Sequence, residues 1–363
     1  MILNRIFKSF NWLLVSPALL LTGIGLLSIY SSSVMSGYFF DFKKQIAYFL
    51  VSVLLMVALS FMDLRFLKSN SYLILMFYVF SLLSLMGLIL FTGTTRGIRG
   101  WYKIGPISLD PVPLSAIILI IVLAKYFSTR HTELKTFKPI VFSAVYAVIP
   151  GFLVFLQPDL GSALTLFAIW FGILVFSGIK LKHFLLLCLI LLMLLGLSWQ
   201  FVLKDYQKQR IMSFTNPQID QQGVSWSVNQ SKIAIGSGGV LGSGFAHGTQ
   251  TQYGFLSEPK TDFIFSAIAE EGGLLASLIV LSLLLFLFLM ILRVAFRSNN
   301  NFTRLFATGF AFLILSQSFI NLGMCLGLFP VVGLPLPFVS YGGSQLLAFY
   351  VGLGILISLE KRT

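Results

Sequence analysis

Apolar residues run along this chain in long unbroken stretches. They show neither the alternation of a half-buried strand nor the one-sided stripe of a surface helix. A helix needs about 20 apolar residues to cross the hydrocarbon of a bilayer. Ten stretches reach or approach that length, near 12–32, 44–62, 71–92, 112–127, 139–156, 160–178, 184–203, 263–292, 304–325 and 341–359. The pattern predicts an all-α polytopic membrane protein of about ten transmembrane helices. Only one polar interval is long, at about 204–261, ahead of the eighth helix. The whole chain, 1–363, therefore reads as a single integral membrane domain with one elaborated loop.

Basic residues orient the spans. Alternate connections carry Arg5 and Lys8; Arg65 and Lys68; Arg130, Lys135 and Lys138; Lys180 and Lys182; Arg293, Arg297 and Arg304; Lys361 and Arg362. That side is the cytoplasm by this rule, so both termini are expected there and the long loop is extracytoplasmic. Arg5 and Lys8 before an apolar run also resemble a signal peptide. The run is of spanning length and more spans follow, which favours an uncleaved first helix.

Composition agrees. The chain is 57% hydrophobic and 10% charged, with a mean hydropathy of +0.93, whereas soluble chains carry about 25% charged residues. The net charge of +13 would suggest nucleic acid in a soluble protein. Here the charges sit between apolar runs, where orientation and anionic lipid explain them, so no nucleic-acid partner is expected. Cys188 and Cys325 lie inside apolar runs and read as buried thiols. The three histidines are scattered without metal-ligand spacing.

Four stretches carry candidate chemistry. EPKTDFIFSAIAEEGG, residues 258–273, puts carboxylates at the front of a very apolar run, where a charge near mid-bilayer costs about 2.5–3.5 kcal/mol on insertion scales. Asp262 is either a helix N-cap or a catalytic carboxylate at the membrane surface. Lys260 and the helix N-terminus favour its ionised form. Glu270 and Glu271 lie about 80° and 180° around the helix from Asp262. Glu271 suits structural pairing, and Glu270 remains open between pairing and a cavity. TTRGIRGWYKIGPISLDP, residues 94–111, interleaves cations with Trp101 and Tyr102. It is an aromatic belt or a clamp for phosphate or sugar. Asp159 in QPDLGSA is a turn residue or lines a cavity. NLGMCLGLFPVVGLPLPFVSYGGSQ, residues 321–345, breaks the helical pattern with three prolines, which is tolerated at depth only against protein or a wet cavity. In the long loop, VNQSKIAI suits a short amphipathic helix at the interface. The glycines at 236, 238, 239, 242 and 244 permit tight turns and close backbone approach. They lack the Lys-Ser/Thr ending of a phosphate loop.

Taken together, QPDLGSAL, NQSKIAIGSGG, GTQTQYGFLSEPKTDFIFSAIAEEGG and NLGMCLGLFPVVGLPLPFVSYGGS resemble the shape, elongation, division and sporulation (SEDS) family of RodA, FtsW and their relatives, with the RodA branch nearer. The matching motifs span about residues 95–350. The resemblance implies a peptidoglycan glycosyltransferase of the bacterial cytoplasmic membrane that polymerises lipid II for cell elongation and shape. It implies Asp262 as the essential carboxylate and a class B penicillin-binding protein, a transpeptidase, as membrane partner, beside other elongation-complex proteins. The chemistry suits one carboxylate. A glycosyl pyrophosphate already has a good leaving group, so a base alone suffices, unlike glycoside hydrolysis. Arg99, Arg210 and Lys232 are candidates to receive the pyrophosphate. Trp101, Asp159, Lys260 and Glu270 complete the expected substrate-binding set. A divalent cation, Mg2+ or Mn2+, is the one candidate cofactor. The family's QPSELAK is DPVPLSA here, residues 110–116, so Asp110 replaces Gln, Pro113 replaces Glu and Ala116 replaces Lys; Gly100 stands where Arg is common. Competing readings are a lipid II flippase, for which proline-broken helices and Asp159 would suit, and a non-catalytic scaffold for cell-wall synthesis.

Overall fold

The computed structural model describes residues 11–64, 69–93, 100–105, 107–130, 137–201, 208 and 224–361. Each of the ten apolar stretches is a helix. They are α1 (Trp12–Val34), α2 (Phe40–Phe61), α3 (Ser71–Phe91), α4 (Val112–Thr129), α5 (Lys138–Leu156), α6 (Leu160–Phe176) and α7 (Leu181–Phe201), then α10 (Ile264–Arg297), α11 (Asn301–Cys325) and α12 (Gly343–Glu360). The long loop adds α8 (Val224–Ser237), which contains VNQSKIAI, and the one-turn α9 (Thr249–Gln252). Among the described residues, eight helices are long and apolar enough to cross a membrane; α6 is apolar but shorter. The protein is an all-α polytopic membrane protein. A feature the apolar pattern missed is a small antiparallel hairpin, β1 (Tyr102–Ile104) with β2 (Ile107–Leu109). It occupies the stretch read as a belt or clamp, and the Tyr102 hydroxyl anchors it by donating to the Ser84 carbonyl of α3 at 2.7 Å.

Polar residues decide where the apolar helices begin. Asn70, Asp159 and Asn300 each accept a first-turn amide, from Leu73, Ser162 and Phe302 respectively, which satisfies donors that a helix start leaves open. Asp159 thus caps α6, and α5 and α6 are two helices separated at Gln157–Asp159. Buried share sorts the bundle. In the most apolar stretch of α11 and of α12, 67% is buried, against 22% for α2 and 28% for α3. α11 is the central helix, packed on α4, α6 and α10, while α12 lies along α2 and α4.

At about 1.5 Å per residue, the 34 residues of α10 would reach about 51 Å, well beyond a hydrocarbon core of about 30 Å. The helix instead breaks at Gly273, where φ is 68°. Its freed backbone groups are met by the glycine-rich segment that follows α8. The amides of Ser243 and Gly244 donate to the carbonyls of Glu270 and Glu271 at 2.9 and 3.0 Å, and the Leu274 amide donates to the Gly239 carbonyl at 2.9 Å. A broken helix at membrane depth needs such partners. Glycine is required because a Cβ on Gly242, itself at φ +82°, would lie 2.1 Å from the Glu271 carbonyl oxygen. The loop glycines therefore serve backbone approach.

Candidate active site

The starts of α2, α4, α6, α10 and α12 meet at one end of the bundle, and the proline-rich segment 329–342 passes among them. Asp262 sits there in a turn two residues ahead of α10. It is not the helix N-cap: that position is Phe263, and no side chain caps it. The residue is partly exposed. Three consecutive carbonyls fix the turn. Lys260 O accepts from the Tyr341 amide at 2.8 Å, Thr261 O from the Ser340 hydroxyl at 2.7 Å, and Asp262 O from Asn321 Nδ2 at 2.8 Å. Ser340 also accepts the Leu336 amide at 2.8 Å, so the proline-rich segment is itself braced. Asp262 faces Gly333, where a Cβ would stand 3.7 Å from Oδ2. Gly333, within the proline-rich segment, thus presents no side chain toward the carboxylate.

The other candidates divide. Lys232 on α8 is exposed. Its neighbour Ser231 is pinned at 2.6 Å to the Ser266 hydroxyl, one turn beyond Asp262, and donates to the Cys325 carbonyl at 2.7 Å. Lys232 Nζ hangs over Gly327, 3.2 Å from where a Cβ would lie. The structure therefore brings Lys232 to the Asp262 end of the bundle. Lys260, expected among the substrate-binding residues, is tied to Asp41 at the start of α2, Nζ to Oδ2 at 3.0 Å. Glu270 is also engaged within the fold. It is 1% exposed, and its carboxylate accepts the amides of Gln250 and Thr251 at 2.6 and 3.0 Å and the Thr251 hydroxyl at 2.7 Å. It holds the first turn of α9 and faces no open surface. Glu271 has the structural pairing expected, accepting from the Ser31 hydroxyl at 2.6 Å and from Gln252 Nε2 at 3.1 Å. Trp101 is half-buried beside the hairpin. Arg99 and Arg210 lie outside the described residues. Cys325 is a free, buried thiol.

Asp159 caps α6 and lies close to Asp110. Burial pushes the Asp110 carboxyl up to about 7; the Asp159 charge adds to this, and the Val112 amide works against it. The departure at DPVPLSA thus keeps a local logic: Asp110 Oδ1 accepts the Val112 amide at 2.9 Å and starts α4, while Ala116, where the family has Lys, is buried in apolar surroundings. Gly161 packs against Leu334, so the Asp159 turn borders the same proline-rich segment as Asp262. Among the described residues, no three His, Cys, Asp or Glu side chains group as a metal site would require, and no step below is routed through a metal.

Asp41, Ser340 and Asn321 went unnoticed in the residue pattern. Asn321 had a signal: a buried amide within an apolar helix must find partners. The arrangement presents a partly exposed Asp262 on a turn held at three consecutive carbonyls, at the end of the bundle that also carries Lys232.

Comparison with known proteins gives the same direction. The cell cycle protein family of FtsW, RodA and SpoVE matches residues 11–363. The peptidoglycan glycosyltransferase MrdB of Escherichia coli K12 is 35% identical over 78% of this chain and 76% of its own length. Among solved structures, a chain of a peptidoglycan synthase complex, described for its coordination of polymerization and crosslinking, is 28% identical over 97% of both chains with a TM-score of 0.82. The rod shape determining protein RodA of Thermus thermophilus is 27% identical over 97% of this chain and 96% of its own, with a TM-score of 0.70.

Proposed function

Because this chain belongs to the family of FtsW, RodA and SpoVE, we propose that it polymerises lipid II at the outer face of the bacterial cytoplasmic membrane, with Asp262 as general base. The protein is a peptidoglycan glycosyltransferase of the RodA type, with a role in cell shape. In the proposed reaction a sugar 4-hydroxyl attacks the anomeric carbon of a disaccharide held on undecaprenyl pyrophosphate. The new glycosidic C–O bond forms as the bond to the pyrophosphate oxygen breaks. Asp262 takes the hydroxyl proton, and undecaprenyl pyrophosphate leaves with the bonding electrons. Lys232 stabilises the departing charge, with Arg99 and Arg210 as further candidates. Both termini lie on the cytoplasmic side and the chain works as one domain. A class B transpeptidase in the same membrane crosslinks the product strand.

The observation that supports this reading best is the Asp262 turn: its three carbonyls are all engaged, yet the residue stays partly exposed. It also lies one residue ahead of the N-cap position, which is Phe263. The test compares the wild-type protein and Asp262→Asn, each co-purified with the cognate transpeptidase and supplied with fluorescent lipid II and a divalent cation. Asn preserves shape and hydrogen bonding but cannot accept the proton. Glycan ladders from the wild type alone are expected. Equal ladders from both would remove Asp262 from the mechanism.

A further inference from the structure

We infer that Asn321 is a positioning residue for the reaction, setting the direction in which Asp262 presents its carboxylate; this rests on Asp262 being the base proposed above. Asp262 belongs to a turn, and regular helix begins only at Ile264. No helical repeat therefore fixes its peptide plane. The Phe263 amide of that peptide donates to Glu258 O at 3.3 Å and the Cys325 thiol reaches Asp262 O at 3.6 Å, both long contacts; the short bond comes from Asn321, on the central helix α11 and fully buried at 0% exposure. The two N–H bonds of its Nδ2 are both used. One reaches Asp262 O at 2.8 Å and the other Leu334 O at 2.7 Å.

These two acceptors lie on the two chain segments that border the carboxylate. The first is the carbonyl of Asp262 itself. The second follows Gly333, the residue that Asp262 Oδ2 faces. One planar amide thus sets the distance between the base and the wall opposite it. Tyr341 and Ser340 hold the two preceding carbonyls, but their bonds stop short of Asp262. Few side chains can replace this one. An ionised Asp has an oxygen where both donors are needed, Ser has one donor, Leu has none, and Gln is a methylene longer. The chemistry also accounts for an amide deep within an apolar helix, where a polar group without partners is costly.

A misplacement of about 1 Å in a reacting group costs about 100-fold in rate. Rotation of the peptide after Asp262 would swing its side chain by that order. Substrate binding relies on other surfaces, so the turnover number should fall and the Michaelis constant should not.

The experiment uses the full-length protein with its transpeptidase partner, fluorescent lipid II, and four proteins: wild type, Asn321→Asp, Asn321→Ser and Asp262→Asn. Rates are normalised to protein that elutes folded on size exclusion. A ten- to hundred-fold lower kcat is expected for both Asn321 variants, with KM for lipid II within about two-fold. A merely structural Asn321 would lower the folded yield and leave kcat per folded molecule within about two-fold of wild type, which would overturn the inference while Asp262→Asn stays inactive. Failure of both Asn321 variants to fold would assign the residue to the scaffold and overturn it equally. An active Asp262→Asn would instead defeat the base assignment itself.

Discussion

Replacing Glu270 with Gln should loosen the one-turn helix α9 without touching substrate binding. The carboxylate has two oxygens, one facing the Gln250 amide at 2.6 Å and the other the Thr251 amide at 3.0 Å and hydroxyl at 2.7 Å. Gln replaces one oxygen with an NH2. Whichever way the amide settles, that NH2 meets a backbone N–H donor to donor. The Thr251 hydroxyl can rotate and accept, but a backbone amide cannot. One amide buried beside Glu270 therefore loses its acceptor, which costs about 1–3 kcal/mol. With about 1.4 kcal/mol per factor of ten, local opening should rise about five- to 150-fold. Hydrogen exchange measured by mass spectrometry on peptides covering 245–256, in detergent, reads this opening directly. The reasoning fails if exchange at Gln250 and Thr251 stays within two-fold of wild type. It fails more tellingly if exchange is unchanged and KM for lipid II rises, because Glu270 would then be a substrate contact and not a cap.

Two other outcomes follow from the same geometry. Asp110 has its carboxyl raised from an ordinary 3.8 to about 7 by burial, with Asp159 alongside. The folded state then binds this proton more tightly than the unfolded one, so the contribution is complete below about pH 4, declines as pH rises through about 7, and is flat beyond. Thermal stability of the wild type should fall between pH 5 and pH 8, and Asp110→Asn should flatten that slope and melt higher at pH 8; identical slopes would refute the assignment. The Asp41–Lys260 pair is partly exposed, at 29% and 19%, and such pairs contribute about 0–1 kcal/mol. Asp41→Asn, Lys260→Met and the double variant should each lower Tm by a similar small amount that high salt erases. Loss of polymerisation in Lys260→Met alone would return Lys260 to the substrate.

Apolar run length is a local and additive property, and for this reason the sequence alone determined the ten apolar helices and the membrane class. No tertiary contact can make a stretch such as 274–291 prefer water. Asp262 drew notice for a related reason: a carboxylate at the head of such a run demands an explanation, and the family resemblance offered one. Hydrogen-bond partners are not local. Glu270 and Glu271 are adjacent and chemically identical, yet one holds α9 and the other is held by Ser31 of α1, some 240 residues away in the chain. Lys260 was read as a free cation because Asp41 is just as distant in sequence, 219 residues off. The break at Gly273 needed the glycine segment 239–244 to lie against it. Only the tertiary structure decided these pairings, because a buried polar group is indifferent to which part of the chain supplies its partner, provided that one is supplied.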